Sequence, residues 1–275
     1  ITNKNHQTMK LFQSKIIPII GVLSLQSLLV WSAEPSSAEV KGNWVAEQID
    51  RSDDGFVNQV SQATMTLKNK QGQESTRTMT IKSLEVESDG DKSLTIFSSP
   101  RDVKGTAFLS FTHALEPDDQ WLFLPALKRV KRISSNNKSG PFMGSEFAYE
   151  DISSQEVEKY TYQYIREEMV LGEKGHVVER VPVDPKSGYT KQIIWVDGVA
   201  WRFGKIEFYD RKGKKLKSLT YDDYNQYSNG KWRANKMAMI NHQTGKSTLL
   251  IWSDIKFGQD LTERDFDQNA LKRAR

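Results

Sequence analysis

Residues 63–82 read ATMTLKNKQGQESTRTMTIK. Ala63, Met65 and Leu67 alternate with Thr64, Thr66 and Lys68, and Met79 and Ile81 alternate with Thr78, Thr80 and Lys82. A two-residue period sends successive side chains to opposite faces of a strand. Lys70-Gln71-Gly72 lies between the two runs as a turn signal, so the stretch reads as an antiparallel hairpin.

The same grammar extends outward in both directions. Leu94 and Ile96 alternate with Ser93 and Thr95, and later come Tyr160, Tyr162 and Tyr164, Ile193 and Trp195, Ile206 and Phe208, and Leu250 and Trp252. Asp89-Gly90-Asp91, Asp197-Gly198, Asp210 to Gly213, Ser228-Asn229-Gly230 and Thr244-Gly245 punctuate them. The pattern predicts a mainly β protein of about eleven strands in one large curved antiparallel sheet. A sheet that wide curls, and its concave face needs a filler. Two helices are expected: an amphipathic opening over Trp44–Asp50, and a closing one where Thr262–Asp265 has capping-box spacing before Phe266 and Leu271. Two helices and a central loop are a thin plug, so an interior cavity is expected.

The beginning of the chain has a different character. Between Met9 and Ala38, Lys10 and Lys15 precede an apolar run from Ile16 to Trp31 that Pro18, Gly21, Ser24, Gln26 and Ser27 interrupt. That is shorter and more broken than the roughly 20 apolar residues of a membrane-spanning helix, and it reads as a secretory signal. Small residues at Ser36 and Ala38 predict cleavage after Ala38. Residues 1–38 are then a removed leader, and 39–275 one domain in the periplasm. The sequence contains no cysteine, which excludes disulfides and a lipid anchor on an N-terminal cysteine. The 39 basic and 35 acidic side chains come close to balance once the leader's Lys4, Lys10, Lys15 and Glu34 are set aside, so no nucleic-acid partner is indicated.

Asp118 to Ile152 reads DDQWLFLPALKRVKRISSNNKSGPFMGSEFAYEDI. Gln120 to Ala126, the basic run Lys128 to Ile133, Phe142 to Phe147 and Tyr149-Glu150-Asp151 closely resemble the outer-membrane lipoprotein-sorting family. These are LolA/LolB-like relatives of the periplasmic lipoprotein carrier and its outer-membrane receptor. Ser99-Pro100, Lys104-Gly105, Tyr189, Trp195-Val196-Asp197, Phe208-Tyr209-Asp210 and the Trp232 strand support the likeness. The resemblance implies an incomplete β-barrel closed by short helices and a loop, with an apolar cavity for acyl chains of lipoproteins or another lipid. It implies carriage without a cofactor, and contact with the membrane surface or with an inner-membrane transporter of the RND type. No single arginine is identified by motif as a fastener for the lid, and the chain is longer than the carrier, so the cargo implied is a lipid or other hydrophobic molecule as readily as a lipoprotein.

Polar Ser134 to Gly140, followed by Pro141-Phe142-Met143-Gly144, suits a mobile cover with an apolar tip. Phe142, Met143 and Phe147 are the expected ligand contacts or plug, and the alternative is ordinary core beneath a loop. Leu122, Leu124, Met65, Met79, Ile81, Trp195 and Trp252 are the further cavity candidates. Lys128, Arg129, Lys131 and Arg132 put positive charge on both faces of one strand. They suit either contact with anionic headgroups or a partner, or an edge strand protected from pairing by charge. Tyr160, Tyr162 and Tyr164 read as core or as a ligand-facing wall.

Catalytic motifs are lacking. His113, His176 and His242 are scattered without metal-ligand spacing, and there is no G-x-S-x-G elbow. Gly245-Lys246-Ser247 resembles the end of a phosphate loop, yet Ile240 stands where its first glycine belongs. Asp50 to Gly55 opens like a calcium loop, but position twelve is Ser61. A binding protein is therefore the leading expectation. A transporter's accessory or sensor subunit and a lipid-modifying hydrolase are its rivals.

Overall fold

The computed structural model describes residues 37–273, apart from Ser88 and the side chain of Ser135. The expected signal segment, Met9–Ala38, lies outside the described residues except for its last two positions. Thirteen strands form one antiparallel sheet: β1 (Asn58–Lys68), β2 (Glu74–Leu84), β3 (Lys92–Ser99), β4 (Ala107–Phe111), β5 (Asp119–Leu124), β6 (Arg129–Ile133), β7 (Tyr160–Val170), β8 (Glu173–Pro182), β9 (Tyr189–Asp197), β10 (Phe203–Asp210), β11 (Lys215–Gln226), β12 (Trp232–Asn241) and β13 (Ser247–Phe257). The spatial order is β6-β5-β4-β3-β2-β1-β13-β12-β11-β10-β9-β8-β7. Every strand pairs with its sequence neighbour except at the centre, where β1 pairs with β13, and between β6 and β7, which are the two free edges. The sheet is thus open. The residues linking its edges, 134–159, contain four short 3-10 turns and one isolated bridge.

The opening hairpin turns where the sequence predicts, between Lys68 and Glu74. Ala63 faces Met79 and Met65 faces Arg77, while across the central pair Ala63 faces Trp252 and Met65 faces Leu250. Alternation sorts the apolar residues into two clusters. The larger one, on the concave face, includes Met65, Met79, Phe97, Phe108, Leu122, Ile194, Phe208, Leu219, Met239 and Leu250. Helix α1 (Ala38–Asp53) supplies Val45 and Ala46 to it.

Ser37 caps α1 by accepting the Val40 N–H at 3.1 Å. The helix buries Gly42, Val45 and Ala46, a stripe at i, i+3 and i+4 that lies on one helical face. Gly42 makes this docking possible. A Cβ there would stand 3.0 Å from backbone atoms of Tyr162, Gln163 and Tyr164, so α1 rests directly on the β7 main chain.

The second cluster corrects one expectation. The closing element, a 3-10 turn over Glu263–Phe266 followed by α2 (Gln268–Arg273), packs Phe266, Ala270 and Leu271 against Leu94, Ala107 and Leu109. Those strand positions alternate with the concave Phe97, Phe108 and Leu122, so the closing helix covers the convex face. Among the described residues, only α1 and the 134–159 segment fill the inside. Among the described residues no helix is long and apolar enough to cross a membrane.

Candidate functional site

The 134–159 segment crosses the concave face and inserts a closed turn into it. Pro141 and Ala148 form an antiparallel bridge, and the Phe142 N–H donates to the Phe147 carbonyl at 2.7 Å. Met143 and Gly144 both take positive φ, 52° and 77°, so the chain reverses in two residues. Both aromatic rings point inward and are nearly inaccessible, Phe142 at 2% and Phe147 at 1%. Phe142 lies 5.1 Å from Phe108, 5.7 Å from Tyr149 and 6.0 Å from Phe97, centroid to centroid. Met143 is half-buried against the same cluster.

Polar side chains from four strands hold this turn, three of them by its main chain. Arg77 of β2 donates to the Met143 carbonyl. Lys217 of β11 donates to the Glu146 carbonyl at 2.8 Å, and Thr248 of β13 accepts the Glu146 N–H at 2.9 Å. Asn241 of β12 donates to the Glu146 carboxylate at 2.7 Å. Farther along, Gln120 of β5 donates to the Tyr149 carbonyl at 3.2 Å and to Ser153 at 3.0 Å. The approach is anchored too, since Lys138 pairs with Asp184 at 2.5 Å. The cover is therefore a latched plug, where the composition of Ser134–Gly140 suggests a loose arm. These fasteners belong to no sequence motif, because they are single polar residues. Their signal is parity: Arg77 and Lys217 occupy inward-facing positions of alternating strands, where an apolar side chain is expected.

A cavity of about 880 Å³ is lined by the far end of the segment, Ile152–Glu156, and by none of the Phe142–Phe147 turn. Its apolar wall includes Ile49, Ile152, Phe203, Tyr221, Met237 and Trp252. The size falls within the roughly 300–1,000 Å³ of small-ligand pockets. Its rim carries Asp50, Asp91, Glu156 and Glu158. Burial pushes Asp91 up to about 7, with Asp53 and Glu85 adding to the effect. Burial also raises Glu156 to about 7, reinforced by the negative charge of Asp91.

This architecture matches solved relatives. An outer membrane lipoprotein-sorting protein domain from Vibrio parahaemolyticus is 57% identical, covers 85% of this chain and 99% of its own, and superposes with a TM-score of 0.83. The chain belongs to the family of this outer membrane lipoprotein-sorting protein domain. A DUF1329 family protein from Desulfovibrio piger is 28% identical with a TM-score of 0.81, covering 86% of this chain and all of its own. A LolA superfamily protein from Nitrosomonas europaea, 22% identical over 86% of this chain and 100% of its own, shares the fold at a TM-score of 0.68. A model for a family of uncharacterized proteins matches residues 89–273. No curated protein matches the sequence.

Within this lipoprotein-sorting fold, most of the cavity candidates lie together on the concave face. Met65, Met79, Leu122, Phe142 and Phe147 are buried in its cluster, and Ile81, Leu124, Met143 and Trp252 pack against it. Trp195 does not join them. Its strand neighbours Ile194 and Val196 face the concave cluster, so Trp195 is on the opposite face, with the Lys205 ammonium 3.7 Å from its ring centre. The basic candidates form the edge of the sheet. Lys128 ends the preceding 3-10 turn in a left-handed conformation and is not part of the strand, while Arg129, Lys131 and Arg132 are exposed on β6, with Arg132 paired to Asp119. Tyr160, Tyr162 and Tyr164 all pack into or against the concave cluster.

Proposed function

We propose that the mature chain, Glu39–Arg275 after removal of its leader, works in the periplasm as a carrier that holds acyl chains of a lipid or lipoprotein against the concave face. One observation carries this reading. The apolar face is stoppered by the protein's own Phe142–Phe147 turn, which is fastened by a handful of polar contacts to its main chain. Such a stopper can be exchanged for cargo without unfolding the sheet.

The magnitudes favour exchange. Burying an acyl chain yields roughly 0.8 kcal/mol per CH₂, so on the order of 10 kcal/mol for a long chain. Exposing two phenylalanine rings costs about 1.5–3 kcal/mol each. The hydrogen bonds to charged groups that must be released are worth about 1.5–3 kcal/mol apiece. Cargo and plug are thus closely matched, which suits a carrier that must both load and unload. The lipoprotein-sorting role for which the Vibrio parahaemolyticus relative is named agrees with this reading.

Native mass spectrometry and lipid extraction of the gently purified protein test the reading. Bound lipid or lipidated peptide is expected, with retention raised by Phe142→Ser combined with Met143→Ser, which weakens the plug that cargo must displace; unchanged retention would remove the plug from this reading. An empty protein that copurifies with an inner-membrane transporter would overturn it in favour of an accessory subunit, and turnover of a phospholipid ester would overturn it in favour of a hydrolase.

A further inference from the structure

The hairpin turns of the sheet are segregated by charge. At one end lie the β1–β2, β3–β4, β5–β6, β8–β9, β10–β11 and β12–β13 connections, which carry nine Lys or Arg against Asp102 and Asp184. At the other end, the β2–β3, β4–β5, β7–β8, β9–β10 and β11–β12 connections carry six Asp or Glu against Arg202 and Lys231. The near-neutral composition of the chain conceals this separation. An antiparallel meander returns alternate turns to the same end, so charges distant in sequence collect on one rim.

The nine basic side chains are all exposed. They are densest at Arg211, Lys212, Lys214 and Lys246, which border a groove of about 840 Å³ whose other wall is the cover turn, Gly144–Ala148. Two large apolar side chains project from the same rim: Leu127, 63% exposed beside Lys128, and Val183, 56% exposed in the turn that holds Lys186. Cations flanking exposed apolar residues are the composition of surfaces that settle on charged bilayers.

We infer that this basic rim is a docking face for an anionic phospholipid bilayer. It presents the groove and the adjoining cover turn to the headgroups, while the acidic rim is directed away from the surface. Repulsion at one end and attraction at the other fix the orientation as well as the affinity. The docking face is this rim of turns, centred on β10–β11 and β12–β13, and the edge strand β6 contributes only its margin. The inference stands apart from the cargo reading, because binding to a surface does not require an acyl chain to enter the sheet.

Vesicle flotation with lipid-stripped protein tests it. The chain is expected to float with vesicles of phosphatidylglycerol and phosphatidylcholine at least about tenfold more tightly than with phosphatidylcholine alone. Binding should vanish near 1 M salt, where the screening length falls to about 3 Å. Lys212→Glu, Lys214→Glu and Lys246→Glu together should weaken flotation by about tenfold or more. The turns use the backbone N–H groups of these residues, which accept the changes without losing their bonds to Asp210 and Thr244. Glu87→Lys with Glu116→Lys, a charge change on the acidic rim, should leave the requirement for those three lysines intact. Indifference to anionic vesicles, equal flotation of the triple variant, or binding to acidic soluble proteins but not to vesicles would each overturn the inference.

Discussion

The Lys217 ammonium meets the Asp151 carboxylate at 2.6 Å, with the two side chains only 5% and 4% exposed. This buried pair joins β11 to the cover, and each partner does more than neutralise the other. Lys217 also holds the Glu146 carbonyl, and Asp151 accepts the Tyr189 hydroxyl at 2.8 Å and the Ala148 N–H at 2.7 Å. Lys217→Met should strand Asp151 without its cation and cost about 3–5 kcal/mol, read by urea denaturation. It should also free the turn, so amide exchange over Phe142–Ala148 accelerates more than global unfolding explains. Adding Asp151→Asn should recover part of the stability but none of the exchange protection.

Phe142→Ala provides a separate test of whether the plug occupies cargo space. Truncating so buried a ring should cost about 3–5 kcal/mol. If the vacated volume accepts an acyl chain, a long-chain lipid ligand should raise the Tm of this variant more than that of the parent, since a ligand that binds only the folded state stabilises it. Phe266→Ala removes an equally buried ring on the convex face. It should lose comparable stability and gain nothing extra from lipid.

Which face a residue occupies is legible in the sequence only where one side of the strand is polar. Alternation is unambiguous at Met65 and Met79, whose neighbours are threonines, and both face the concave cluster. It is ambiguous at Ile193-Ile194-Trp195-Val196, apolar at every position, and period two cannot say which parity is concave. Trp195 therefore reads as an inward residue from the sequence, while Ile194 is the one inside. Two further strands lack the pattern for the same cause. In β4, Ala107 and Leu109 are buried under α2 while Phe108 is buried on the concave side, and in β8 both Val177 and Val178 are inaccessible. A strand covered on both faces has no polar side to alternate with. For the latch of Arg77, Lys217, Asn241 and Thr248, parity marks Arg77 and Lys217 as inward-facing polar residues, but their common partner is illegible because only the fold brings these strands together.

Gly42 offers a test of how α1 closes the interior. A Cβ at this position would stand 3.0 Å from three backbone atoms of β7, with no flexible neighbour to yield. Gly42→Val should therefore push the helix away from the strand and cost about 1–3 kcal/mol, as overpacking does. The contact of Trp44 with Trp201, 5.2 Å between centroids, should loosen in step, visible as a change in near-ultraviolet circular dichroism. Unchanged stability together with an unchanged tryptophan signal would show that the helix does not rest on the β7 main chain.

The carboxylates at the cavity rim predict a definite pH dependence. Asp91 and Glu156 are both raised to about 7, from ordinary values of 3.8 and 4.5, chiefly by burial. A carboxyl group with a raised folded pKa binds its proton more tightly in the folded state than in the unfolded chain. Its contribution is therefore most favourable below the unfolded pKa and is lost as pH rises from about 4 through 7. The Tm should fall between about pH 5 and pH 8 on this account, opposite in sign to the behaviour of a salt-bridged carboxylate. Asp91→Asn retains an oxygen for the Val86 N–H, which Asp91 accepts at 3.3 Å, and removes the ionisable group. That variant should be stabilised at the alkaline end and little changed at the acidic end, flattening the profile. Thermal unfolding of both proteins across this range decides the matter: parallel profiles would exclude Asp91 as a source of the dependence.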